Sequence, residues 1–381
     1  MAQKLKTDHI LFSTVILMVF FGLVMVYSAS SVMAELKMGH SYYFVARQLF
    51  WVVIAVSVMM MLKMTHYRKL QHPAVAFPCM SIVLMMLIAV YIMDAKQHRW
   101  IRFGFIGIQP SELAKPALAL FLAYFIALRA RAINNRHTLA PALLAVGLVT
   151  VSVVVADLGT AVVLMLSAAT VFFVAGLEWR YVVIAVGIGL LGCVVAVAAK
   201  PYRLTRLIGY VDPEYRVVVL VDAKLHTHVG DYLKRSLTTK DTSYQSEQSK
   251  IAVGAGGPMG QGLSMGKQKL LYLPEAHTDF IYAVVGEELG LFGTVGVLAA
   301  FGIILWRGIR ATVLIPDEFG RYLALGVTTM LVVQGLMNIS VVLGMMPTKG
   351  IPLPMISFGG SSLLSTLASL GILMNVSEHA G

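Results

Sequence analysis

Charge and cysteine are what this chain has little of. Of its 381 residues only 13% are Asp, Glu, Lys or Arg, and two are cysteine. A soluble domain carries about 25% charged residues, so a water-facing surface is excluded for most of a chain that is 58% hydrophobic with mean hydropathy +0.79. Cys79 and Cys193 fall in separate apolar stretches, with no paired spacing and no histidine cluster beside them. That pattern supports neither a disulfide framework nor a structural zinc site. A cleavable leader is not expected either: the first apolar stretch, 11–30, is too long for a signal-peptide core and has no convincing cleavage site, so it reads as a retained span. The glycine-rich stretch between 254 and 266 lacks the Gly-Lys-Ser/Thr of a nucleotide-binding loop. The formal charge of +11 is scattered over loops without a recognition element. Nucleic acid is therefore not expected as a partner, and anionic membrane lipids are.

What is present is a series of apolar runs. A helix needs about 20 residues to cross about 30 Å of hydrocarbon, and such runs lie near 11–30, 47–63, 74–93, 112–128, 139–156, 160–177, 181–199, 279–305, 321–345 and 354–376. The expected fold is an all-α polytopic membrane protein of about ten transmembrane helices, a single domain over 1–381. One large extracytoplasmic loop, 200–278, joins spans seven and eight. An even number of spans puts both termini on one side. Twelve Lys and Arg in the short loops of that side, against six opposite, make it the cytoplasmic one.

The polar residues gather around the stretch Gln268–Gly290. Asp279 stands where a polar loop becomes an apolar run. A carboxylate there is partly desolvated, its pKa rises, and it suits a general base. The plainer alternative is that Thr278 or Asp279 caps the helix. Ser111 reads as a helix cap, and Glu112 and Lys115, three apart on one helix face, form either a structural or a functional intramembrane pair. Asp157 caps a helix or lines the same outer cavity. The glycines between 254 and 266 allow close backbone approach or present N–H groups to phosphate. Lys267 and Lys269 add charge suited to a diphosphate. Glu287 and Glu288 lie too deep to face lipid. Gln334 and Asn338, four apart, read as interhelical glue. Pro347, Pro352 and Pro354 with Gly350, Gly359 and Gly360 give irregular backbone at membrane depth, tolerated only where it is buried or lines a cavity. That backbone presents Lys349, Ser357, Ser361 and Ser362 toward the side of Asp279.

Together the motifs G-L-V-M-V-Y-S-A-S (22–30), R-W-I (99–101), Q-P-S-E-L-A-K (109–115), D-L-G-T (157–160), Y-Q-x-x-Q-S (244–249), L-P-E-A-H-T-D-F-I (273–281) and P-T-K-G-I-P-L-P-M-I-S-F-G-G-S-S (347–362) resemble the SEDS (shape, elongation, division and sporulation) family. The likeness keeps its order over nearly the whole chain. Ala276, Gln268-Lys269 and residues 347–350 look like the division-type branch more than the elongation type. The resemblance implies a ten-helix glycosyltransferase that polymerises lipid II into glycan strands on undecaprenyl diphosphate. Its partners would be a class B penicillin-binding protein and other divisome proteins, in the bacterial inner membrane at the septum. Carried over by motif, Asp279 is the essential acid, Glu112 and Lys115 the pair, and Arg99 and Trp100 the Arg-Trp pair. Candidate substrate-binding residues are Arg99, Trp100, Arg203, Arg206, Gln245, Lys269, His277, Lys349, Ser357 and Ser361. No metal-ligand cluster stands out; a divalent cation bridging diphosphate and carboxylate is compatible with this set. The chain departs from the family pattern at 95–98, where it has Ala-Lys-Gln-His, at Ala156, and in a longer loop around 214–242. Two rival readings are a lipid II flippase and a non-catalytic divisome scaffold. No inverted repeat is apparent, and the polar groups sit at one face instead of the midplane, which speaks against transport.

Overall fold

In the computed structural model, residues 7–94, 98–103, 106–129, 133–211, 240–270 and 272–380 are described. Their helices are α1 (His9–Met38), α2 (Tyr43–Met64), α3 (Pro73–Met93), α4 (Pro110–Ala127), α5 (Arg136–Val154), α6 (Leu158–Val174), α7 (Trp179–Ala198), α8 (Pro201–Val211), α9 (Lys240–Gly256), α10 (Ile281–Leu314), α11 (Glu318–Val342) and α12 (Gly360–His379). A two-stranded antiparallel hairpin, β1 (Ile101–Phe103) and β2 (Ile106–Ile108), pairs Ile101 with Ile108. Nine of these helices are long and apolar enough to cross a membrane, and α6, at 17 residues, is the shorter tenth. The ten match the ten apolar runs in order.

Boundaries moved where backbone chemistry, and not hydropathy, sets them. The first span was expected to end near residue 30, but α1 continues to Met38 because no Pro interrupts it before Gly39, which takes the left-handed conformation (φ 77°) that closes a helix. The last span was expected from 354, but α12 starts at Gly360. Pro352, Pro354 and a positive φ at Met355 keep the preceding turns irregular. Ser111 does not cap α4: the cap position is Gln109, and the Ser111 hydroxyl accepts from the Gln109 amide at 2.9 Å.

At the centre lie α4, α11 and α12, buried on most sides, while α7 turns apolar residues such as Ile188, Leu190, Leu191 and Val194 outward all round. Such surface is stable only against lipid or another apolar partner. The segment 200–278, expected as a loop, holds α8 and α9 among its described residues. Asp231, Lys234 and Arg235, with most of the long stretch 214–242, lie outside the described residues.

The glycine-rich stretch packs against α10 instead of standing open. Helix α10 breaks at Gly290 (φ 62°, ψ −151°), a conformation that glycine reaches without a Cβ clash. Backbone N–H groups of Gln261 and Gly262 bond the carbonyls of Glu287 and Glu288 at 2.9 and 3.0 Å. The side chains of these acids accept from the N–H of Ser264 (3.0 Å) and Lys267 (2.7 Å). These amides thus serve carboxylates of the protein's own helix. At the end of α9, a Cβ on Gly256 would fall 1.9 Å from the Gly286 carbonyl oxygen. Gly256→Ala is therefore expected to push α9 off α10 and cost about 1–3 kcal/mol, read as a lower melting temperature in detergent.

Candidate active site

Helix α10 begins at Ile281, so Asp279 belongs to the loop before the span; the cap position is Phe280, and no side chain caps the helix. The Thr278 hydroxyl bonds Glu275 instead (2.8 Å). The capping alternative thus fails for both residues. The Asp279 carboxylate has no hydrogen-bond or ion-pair partner among the described residues, and only its main-chain oxygen is held, by the Asn338 amide at 2.7 Å.

That carboxylate lines a cavity of about 390 Å3. Around it stand Glu275, Arg99 from the segment before β1, Asp157 from the α5–α6 turn, Gly159 from the first turn of α6, Cys193 and Val197 from α7, Arg203 and Arg206 from α8, Gln245 from α9, and residues 347–350. Asp157 fills both roles considered for it. It caps α6 by accepting from the N–H groups of Gly159 (3.0 Å) and Thr160 (3.2 Å), and its second oxygen meets Arg99 at 3.4 Å. Arg99 also donates to the Gly350 carbonyl (3.2 Å), and Arg206 to that of Thr348 (3.4 Å). Arg203 binds the Val154 and Val155 carbonyls at 2.6 and 2.9 Å, placing a cation at the C-terminus of α5, where the helix dipole favours it. The Lys349 ammonium has no hydrogen-bond or ion-pair partner among the described residues; only its main-chain oxygen is held, by Ile351 N–H at 3.1 Å. Burial, with Arg203 nearby, holds its pKa below the usual lysine range, although Asp157 opposes this.

Burial is also what moves Asp279. Part of its side chain faces the cavity while protein surrounds the rest, and its pKa is raised to about 7. Arg99 and Arg206 counteract the shift, while Glu275 and Asp157 add to it. A carboxyl that exchanges its proton near neutrality is what proton abstraction requires.

Six of the sequence candidates meet in this cavity: Asp279, Arg99, Arg203, Arg206, Gln245 and Lys349. The others do not line it. Lys269 is buried against Glu288 (2.6 Å) and the Ser28 hydroxyl (3.0 Å), so its charge is already neutralised. Trp100 lies against Gly107 of β2. His277 packs between Phe44 and Phe358, with ring centroids 4.7 and 5.6 Å away, and burial lowers its pKa. The Ser357 hydroxyl donates to the Thr278 carbonyl (2.5 Å) and accepts from Leu353 N–H (2.8 Å). Ser361 is buried in the first turn of α12. Glu112 and Lys115 form a buried pair at 2.6 Å, and Lys115 also donates to Gln334 (2.5 Å).

Two cavity residues have roles that the sequence reading did not assign. Glu275 lines the cavity from the same loop as Asp279, and Gly350 leaves room for the acid: a Cβ there would fall 2.8 Å from Asp279 Oδ2. Among the described residues no group of three His, Cys, Asp or Glu side chains is placed to hold a metal. A hard divalent cation in this cavity would take most of its ligands from phosphate and water.

Fold and cavity together define a multi-pass membrane protein in which a neutral-range acid and several cations converge at one end of a helical bundle. The chain belongs to the FtsW, RodA and SpoVE family of cell cycle proteins, whose family model matches residues 8–381. Relatives include a probable peptidoglycan glycosyltransferase FtsW of Geobacter metallireducens, 39% identical over 98% of this chain and 95% of that one. Stage V sporulation protein E of Bacillus subtilis is 35% identical over 99% of both. Among solved structures, a chain of a peptidoglycan synthase complex that coordinates polymerization and crosslinking superposes with TM-score 0.75 at 27% identity, covering 99% of each chain. The rod shape determining protein RodA of Thermus thermophilus superposes with TM-score 0.69 at 26% identity, over 99% of this chain and 98% of that one.

Proposed function

We propose that this protein is a peptidoglycan glycosyltransferase of the division type, polymerising lipid II into glycan strands with Asp279 as general base. The carrying observation is an acid with no partner among the described residues, sharing one cavity with Lys349, a cation likewise without one. Asp279 takes the proton of the sugar 4-hydroxyl of an incoming lipid II as that oxygen attacks the anomeric carbon of the growing strand. The new C–O bond forms as the bond from the anomeric carbon to undecaprenyl diphosphate breaks. Lys349, Arg203 and Arg206 are placed to stabilise the charge that develops on the departing diphosphate. A single displacement inverts the anomeric centre and needs no enzyme nucleophile. The termini lie in the cytoplasm and the cavity opens to the outer face of the bacterial inner membrane, in keeping with the loop charges. The partner is a class B penicillin-binding protein acting with other divisome proteins at the septum.

The test is to incubate purified lipid II with the purified protein, with and without a class B penicillin-binding protein, and to run a liposome flipping assay beside it. Glycan polymer formed without flipping supports the proposal. Flipping without polymer would support the flippase reading, and neither activity would leave the scaffold.

A further inference from the structure

Asn338 lies in α11, is 1% exposed and is not among the residues that line the cavity. Its side-chain nitrogen donates to two main-chain oxygens, those of Asp279 and Ile351, each at 2.7 Å. An amide NH2 carries two hydrogens, so both bonds form together. Its orientation is fixed by chemistry, because the turned amide would face two carbonyl oxygens with a third oxygen. The Asn338 Oδ1 atom is buried without a partner, a cost that an apolar side chain of the same shape would not carry. What the residue contributes is therefore its pair of donors, and these join the segment bearing Asp279 to the segment bearing Lys349 and Gly350. The same two segments are tied again by Ser357, which donates to the Thr278 carbonyl (2.5 Å), and by Phe358 N–H, which donates to that of His277 (3.0 Å). One turn away on α11, Gln334 donates to the Pro352 carbonyl at 2.9 Å.

We infer that Asn338 is a positioning residue for the polymerisation proposed above: it fixes the spacing between the acid of Asp279 and the backbone and cation of residues 347–351, without touching substrate. The inference rests on that functional reading. Displacing reacting groups by about 1 Å costs about 100-fold in rate, so the tie controls turnover more than substrate affinity.

The experiment compares wild type, Asp279→Asn, Asn338→Leu, Asn338→Gln and Ser357→Ala in lipid II polymerisation, each purified and assayed with the same amount of transpeptidase partner. Asn338→Leu keeps most of the volume and removes both donors. Its kcat is expected to fall by about 100-fold while KM for lipid II changes by less than about threefold. Asn338→Gln, which retains the amide, is expected to recover part of the loss. A second readout separates positioning from simple loss of fold. The charged groups that act on Asp279 are Arg99, Glu275, Asp157 and Arg206, with Lys349 in the same cavity, and none of these side chains is altered in these variants. With the tie cut, the Asp279 loop turns toward water and the acid limb of kcat against pH moves to lower pH. Ser357→Ala, which cuts the neighbouring tie, is expected to move the limb the same way and carries the test if Asn338→Leu does not fold. Wild-type kcat and an unmoved limb in the folded variants would overturn the inference, as would a rate loss matched by lost folded protein with the limb unmoved. If wild type and Asp279→Asn behave alike, the functional reading itself falls, and this is seen without any Asn338 variant.

Discussion

Asp279→Asn is expected to remain folded and membrane-inserted while losing polymerisation by about 100- to 10,000-fold, the range a positioned general base contributes. The substitution keeps the shape of a side chain that makes no hydrogen bond among the described residues, so its structural cost is small. The same change should raise stability. With the folded pKa at about 7 and an unfolded value of about 3.9, the folded state binds the proton more tightly, so stability falls as pH rises from about 4 to about 7 and stays reduced above. The Asn variant carries no such penalty. It should melt higher than wild type at pH 8 and equal to it near pH 4, while keeping only its small residual rate at pH 8. A variant that is inactive and also less stable at pH 8 would point to collapse of the cavity in place of a missing base.

The second large effect is expected at Lys115. Its ammonium is buried between Glu112 and Gln334, and removing one member of a buried pair leaves an uncompensated charge, at a cost of about 3–5 kcal/mol. Against a total stability of about 5–15 kcal/mol, Lys115→Ala should sharply lower the yield and the melting temperature of the protein in detergent. The double change Glu112→Gln with Lys115→Met removes both charges at similar volume and should restore most of the stability. Polymerisation by the double variant then separates the two readings of the pair. Activity recovered together with stability makes it structural. Stability without activity makes it functional, acting through Gln334 on the Pro352 segment.

Most of the fold was legible because ten apolar runs separated by polar loops leave few alternatives in a membrane. What was not legible depended on single backbone conformations, such as the left-handed Gly39 that closes α1 after Met38 and the break at Gly290. The cavity was legible in part. Asp279, Lys349 and Arg206 could be placed on one side from span order, but sequence position does not say which charge is already spent on a neighbour. Lys269 shows this: adjacent to the glycines it reads as a diphosphate ligand, yet Glu288 takes up its ammonium across the loop. The glycines themselves were legible as sites of close approach; that they approach α10 follows from Gly256 meeting Gly286, a contact no local pattern announces. Gly350 and Asn338 act through a missing Cβ and through main-chain oxygens, so their residue types alone carry no mark of the site.

The most direct measurement is the rate of lipid II polymerisation by the purified protein with a class B penicillin-binding protein added, followed from pH 5 to pH 9. A rate that climbs through a midpoint near pH 7, as Asp279 gives up its proton, with the climb absent from the residual rate of Asp279→Asn, is the expected result. A wild-type rate that is level across this range, or a climb that survives in Asp279→Asn, would contradict it.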